Sequence, residues 1–255
     1  MVPQAARIAA RPCRTLRDVK GQVGPFDHRK VIASVASEML VPLGLVRLGR
    51  SMAWVDDYDW SVGTFRLATT SHGQRPIAGL GVGLNLLWYP FGELLAADVD
   101  YRNAWQLPSG NFPTTQVDAR RPDWLERDLR IMLEQGIAHL DRIRATRQNL
   151  ASVAAAFSGP PPEPYWSRYH RGITAGLLRQ VAGCVAELSS IANDPVQHDA
   201  DDRPATADTA AWLIRCITPA AFDDEIVAAI ALSRTRARLP TVTGQALLEA
   251  LNAAR

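Results

Sequence analysis

The chain is poor in cysteine, nearly devoid of lysine, and has no long apolar run. Cys13, Cys184 and Cys216 are its three cysteines. They are widely spaced, odd in number and form no CxxC pair, which argues against a disulfide framework and against a cysteine-built zinc site. A reducing, cytoplasmic compartment is the simplest setting for them. Nowhere do 18 apolar residues run together, so no membrane-spanning helix and no membrane partner are expected. No HExxH, GxSxG or Cys–His arrangement occurs either, and no catalytic residue, metal ligand or cofactor is assigned from motifs. Residues scattered along a chain can still assemble in space, so an enzyme is disfavoured by this rather than excluded.

What is present is ordinary for a folded protein. A length of 255 residues with 47% hydrophobic and 21% charged residues can bury a real core without covalent staples. Lys20 and Lys30 are the only lysines among 28 basic residues; with the abundant alanine, that reads as GC-rich bacterial codon usage. A net charge of +2 gives no general reason to expect nucleic acid. Basic charge does gather in the first 20 residues, where Arg7, Arg11, Arg14, Arg17 and Lys20 face one acid, Asp18. That start lacks the apolar stretch of a secretory signal, and residues 1–26 are read as a disordered basic tail.

Periodicity divides the rest. Val31, Ile32, Val35, Ala36, Met39, Leu40 and Leu43 recur at helical spacing from His28 to Pro42, behind Asp27 as N-cap. Segments 45–48, 51–56, 60–70 and 77–89 then read as strands joined by short connections, which means antiparallel hairpins. Weaker strand signals lie at 94–105 and 112–118. From Pro122 the helical period returns with Leu125, Leu129, Met132, Leu133, Ile137, Leu140 and Ile143 to about Arg144, and Thr146 is taken to cap a short helix ending at Phe157. The stretch 158–164, with Pro160, Pro161, Pro162 and Pro164, is a linker. Beyond it, 165–192 reads as one long helix whose Ala175, Ala182, Gly183 and Ala186 permit close helix contacts. An acidic loop at 193–208 follows, then helices at 206–217, from Pro219 behind Thr218, and from Thr243 to about Ala254. The expected fold is α+β: an antiparallel meander with flanking helices over 27–157, then an all-helical part over 165–255.

Two places draw functional attention. Asp56, Asp57 and Asp59 cluster with Trp54, Tyr58 and Trp60. Carboxylates in that density suit a cation, but aspartate is also what hairpin turns favour. If the protein grips a partner, this acidic, aromatic tip is where a basic surface would dock. On the last strong strand, Ala78, Leu80, Val82, Leu84, Leu86 and Trp88 form an apolar face, while Gly79, Gly81, Gly83 and Asn85 lie on the other. The glycines lack the turn–helix context of a dinucleotide site, so close packing explains them before a ligand groove does. Elsewhere, His198, Asp199, Asp201 and Asp202 read as a solvated loop, and Cys184 and Cys216 as inert core thiols.

The run Leu40-Val41-Pro42-Leu43-Gly44-Leu45, the strand Val46-Arg47-Leu48-Gly49-Arg50, then Trp54, Trp60-Ser61-Val62, and finally Gly136-Ile137-Ala138-His139-Leu140-Asp141 carry a resemblance. Over residues 30–157 the chain resembles the bacterial domain of unknown function 4304 family. That resemblance implies a meander with flanking helices and assigns no catalytic residues. The function expected is a protein-binding accessory factor, for example of immunity type in a bacterial conflict system. An enzyme or small-ligand binder using the glycine-bearing strand is the alternative.

Overall fold

A computed structural model of the chain describes residues 27–72, 75–88, 117–118, 122–157, 165–193 and 203–255. The basic tail 1–26, the strand signals at 94–105 and 112–116, the linker 158–164 and the loop 194–202 lie outside the described residues. The fold class is α+β, with the sheet in the N-terminal part and helices throughout the C-terminal part.

Helix α1 (His28–Leu40) starts where the Asp27 carboxylate accepts from the backbone N–H groups of Arg29 and Lys30, and it buries Ile32, Val35, Ala36 and Leu40. Pro42 cannot extend it, and the chain tightens into a 3-10 turn, Val41–Leu43, closed by Gly44 at φ 89°. Five antiparallel strands then form one sheet in sequence order: β1 (Val46–Arg47), β2 (Ala53–Tyr58), β3 (Ser61–His72), β4 (Arg75–Leu86) and β5 (Val117–Asp118). Tyr58 pairs with Ser61, leaving Asp59 and Trp60 as the β2–β3 turn, with Asp59 at φ 42°. The strand expected to end at Asp56 continues through Asp57 and Tyr58. Turn propensity is overruled at Asp57, whose carboxylate pairs with Arg234.

Helix α2 (Pro122–Arg147) packs on one face of the sheet. Its stripe Leu125, Leu129, Met132, Leu133, Leu140 and Ile143 is buried. The approach is closest at Gly136, where a Cβ would stand 2.7 Å from Leu80 and 3.0 Å from Phe65. Asn149, rather than Thr146, caps α3 (Leu150–Ala156) by accepting from Ala151 and Ser152.

The long helix expected over 165–192 is two helices, α4 (Tyr165–Leu177) and α5 (Val181–Ala192), broken where Arg179 adopts φ 63°. Of the four small residues credited with close contacts, Ala182, Gly183 and Ala186 are exposed, and a Cβ on Gly183 would stand in ordinary contact with Ala175 at 3.7 Å. The close approach is on α4, where a Cβ on Gly176 would overlap the Phe222 ring and one on Gly172 would meet Leu188 at 2.7 Å. Three helices follow: α6 (Arg203–Arg215), α7 (Pro219–Arg236) and α8 (Gly244–Ala253), the last capped by the Thr243 hydroxyl accepting from Ala246.

Buried apolar side chains from α1, the sheet and all the later helices form one contiguous cluster, from Ile32 to Ala254. The seam between sheet and helices is aromatic. Trp60 and Trp88 stack with ring centroids 5.2 Å apart and planes 7° from parallel. The Trp88 indole N–H donates to His170 Nδ1 on α4 at 3.1 Å, and the His170 ring lies 4.9 Å from Phe157. Burial alone holds His170 far below the usual histidine range, at about 3, so it is a neutral acceptor here. Among the described residues no helix is long and apolar enough to cross a membrane.

Candidate functional site: a clamped hairpin and the groove beside it

Successive residues of a strand point to opposite faces, and Asp56 and Asp57 use that alternation to hold two different helices. On the α2 face, the Asp56 carboxylate accepts from Arg144 at 2.8 and 3.2 Å and from Arg147 at 2.8 Å. Arg147 also donates to the Asp56 carbonyl at 2.9 Å and lies 4.6 Å over the Tyr58 ring. Arg144 reaches on to the Leu43 carbonyl at 2.8 Å. Hydrogen bonds donated to Asp56 raise the Arg144 pKa, whereas burial lowers that of Arg147.

On the other face, Asp57 forms a two-pronged pair with Arg234 of α7 at 2.8 and 2.7 Å. Arg234 is 2% exposed. It spends its remaining donors on the Asp59 carbonyl at 2.7 Å and the Pro240 carbonyl at 2.9 and 2.8 Å. One guanidinium therefore fixes the hairpin tip and the segment after α7 together.

The residues expected to meet a partner are thus placed unequally. Trp54 and Trp60 are fully buried, and their indole N–H groups have no hydrogen-bond partner among the described residues. Asp56 faces α2. Asp57, Tyr58 and Asp59 keep contact with solvent. The basic surface the acidic hairpin suits is already supplied by this chain's own arginines.

The glycine-bearing strand has a different character. Gly81, Gly83 and Asn85 are buried, while a Cβ on Gly79 would meet nothing within 4 Å. Asn85 Nδ2 donates to Thr64 Oγ1 at 2.9 Å, and the Thr64 hydroxyl donates to the Gly83 carbonyl at 3.4 Å. Asn85 Oδ1 is buried with no hydrogen-bond partner among the described residues. Cys184 on α5 is buried, and burial pushes its thiol up to about 11, whereas Cys216, also expected in the core, is only half-buried.

Beside Asp57 opens a groove of about 1110 Å³ between the β1–β2 turn and the segment joining α7 to α8. Four arginines line it, Arg47, Arg50, Arg236 and Arg238, against one acid, Asp57, whose charge is already taken by Arg234. Val46, Leu48, Val55, Leu239 and Pro240 supply apolar wall. Arg47 is held in place by donating to the Ser51 carbonyl at 2.8 Å and lying 5.3 Å over Trp54. The turn depends on Gly49, at φ 53°, with Ser51 N–H donating to the Leu48 carbonyl at 3.0 Å. Arg50 and Arg238 are exposed, and their guanidinium groups make no hydrogen bond or ion pair among the described residues. This groove joins residues some 190 positions apart, so no local pattern announces it. The one signal in the sequence is the alternation Arg234, Arg236, Arg238 at the end of α7.

No family model, no curated protein and no solved structure matches this chain.

Proposed function

We propose that the chain is an accessory binding protein that takes an acidic segment of a partner protein into the arginine-lined groove, and catalyses no reaction there. The observation that carries this is the charge of the groove. Four arginines converge, two of them without partners among the described residues, and the one carboxylate those residues place there is neutralised by a buried guanidinium. Such a field attracts anions and steers their approach. The apolar wall favours a peptide, whose side chains can alternate carboxylate and hydrocarbon, over the uniform phosphate edge of a nucleic acid. An immunity-type factor that covers the acidic face of a toxin would use a surface of this kind.

A fluorescent peptide alternating glutamate and valine is expected to bind, and to bind more weakly as salt rises. The double variant Arg50→Glu/Arg238→Glu should weaken it at least about tenfold, since each reversal replaces an attraction with a repulsion. Anisotropy titration reads both effects. A single-stranded oligonucleotide that binds more tightly than the peptide would overturn the reading.

A second reading rests on Asn85. Its Oδ1, unpartnered among the described residues, is what a small ligand bearing an N–H or O–H donor would satisfy. Asn85→Leu removes that acceptor while keeping the side chain's size. A small polar compound that raises the melting temperature of the wild type should then fail to raise that of Asn85→Leu; equal shifts in both would remove the reading.

A further inference from the structure

Among the described residues the chain reverses out of a helical segment three times by the same device. After the 3-10 turn Val41–Leu43, after α4 and after α7, one residue turns left-handed: Gly44 at φ 89°, Arg179 at φ 63° and Arg238 at φ 55°. In each case the next N–H reaches back to a carbonyl five residues earlier. Leu45 donates to Leu40 at 3.2 Å, Gln180 to Ala175 at 2.8 Å, and Leu239 to Arg234 at 2.9 Å. Glycine is the usual occupant of that position, because any Cβ is crowded against the backbone there. Gly44 follows the rule and the two arginines break it.

The exception at Arg179 has an internal explanation. Its guanidinium pairs with the buried Asp223 at 3.1 and 2.7 Å and donates to the Pro219 carbonyl at 3.2 Å, tying α4 to α7. Arg238 has no such return. It is exposed, its side chain makes no hydrogen bond or ion pair among the described residues, and it lines the groove with Arg50. Left-handed backbone held by a bulky residue with no structural gain is the pattern seen where a side chain serves a ligand.

We infer that Arg238 is the residue that selects the groove's ligand, offering its unpaired guanidinium fork to a carboxylate of the acidic segment, and that the fold gives up stability to present it. This rests on reading the groove as the acidic-segment site. The fork geometry matters as well as the charge, because two parallel N–H groups match the two oxygens of a carboxylate.

The test is a melting curve and a peptide titration on the full chain for Arg238→Gly, Arg238→Lys, Arg179→Gly and Arg50→Glu. Arg238→Gly should raise the melting temperature by about 3 °C, the shift expected for relieving one left-handed side chain in a chain of this size. It should also weaken the glutamate–valine peptide about tenfold or more, and Arg238→Lys should weaken it by severalfold. Arg179→Gly should lower the melting temperature and leave peptide affinity alone. If Arg238→Gly gains no stability, the trade is disproved. If it binds like the wild type while Arg50→Glu binds weakly, Arg238 is not the selector, though the groove remains the site. If the wild type itself ignores the peptide, the reading of the groove falls and this inference falls with it.

Discussion

Asp57→Ala is expected to unfold roughly 10 °C below the wild type, and to do more damage than Arg234→Met, although both break the same pair. The asymmetry follows from depth. The Arg234 side chain is 3% exposed and that of Asp57 is 27% exposed. Losing the arginine leaves a carboxylate that can regain water. Losing the aspartate leaves a guanidinium whose charge is buried and answered only by carbonyls. Removing one member of a buried pair costs about 3–5 kcal/mol, so Arg234→Met belongs near the lower figure and Asp57→Ala near the upper. For a chain of this length each kcal/mol moves the melting temperature by about 2–4 °C. The double variant Asp57→Leu/Arg234→Met should recover much of the loss, because two apolar groups strand no charge. Thermal denaturation of the four proteins decides this; equal losses for the two single variants would mean that the pair is effectively solvated.

Acid is expected to weaken this protein steeply through one residue. His170 accepts the Trp88 N–H at a fully buried site, and burial holds its folded pKa at about 3, against 6.5 for the free side chain. Below about pH 6.5 the unfolded chain therefore takes up a proton that the folded chain refuses. The unfolded state binds more protons, so stability falls as pH falls, by about 1.4 kcal/mol per pH unit between roughly pH 6 and pH 4. Above pH 6.5 both states are neutral at this position and the effect vanishes. His170→Gln keeps an acceptor for Trp88 but cannot titrate. Whatever it loses at neutral pH, its denaturation free energy should decline less steeply in acid, and the difference in slope isolates His170 from the carboxylates that titrate in the same range. Parallel slopes for the two proteins would show that the folded state accepts the proton after all.

The regular elements were legible in the sequence because their signals are local. The α1 stripe, the N-caps Asp27 and Thr243, the meander and the buried stripe of α2 all follow from spacing and turn chemistry over a few residues. Errors came where a distant group overruled local preference. Asp57 reads as a turn residue until Arg234, 177 positions away, is seen to bind it in the strand. The break at Arg179 was hidden because neither glycine nor proline marks it; the ion pair with Asp223 sustains a conformation that sequence rules assign to glycine. The groove was invisible for the same reason. Its two walls, at 46–51 and 236–241, become neighbours only after the helical part folds back on the sheet.

The brevity of β1 bears on how the protein behaves in a crowd of its own copies. A sheet edge is a template for another sheet, and proteins that cannot cover theirs keep it short or charged. Here the edge strand is two residues long, ends on the Gly49 turn, and sets Arg47 and Arg50 beside an exposed Val46. Two copies approaching edge to edge would find few free peptide groups to zip and like charges to bring together. Arg47 and Arg50 thereby disfavour pairing of two copies along the β1 edge.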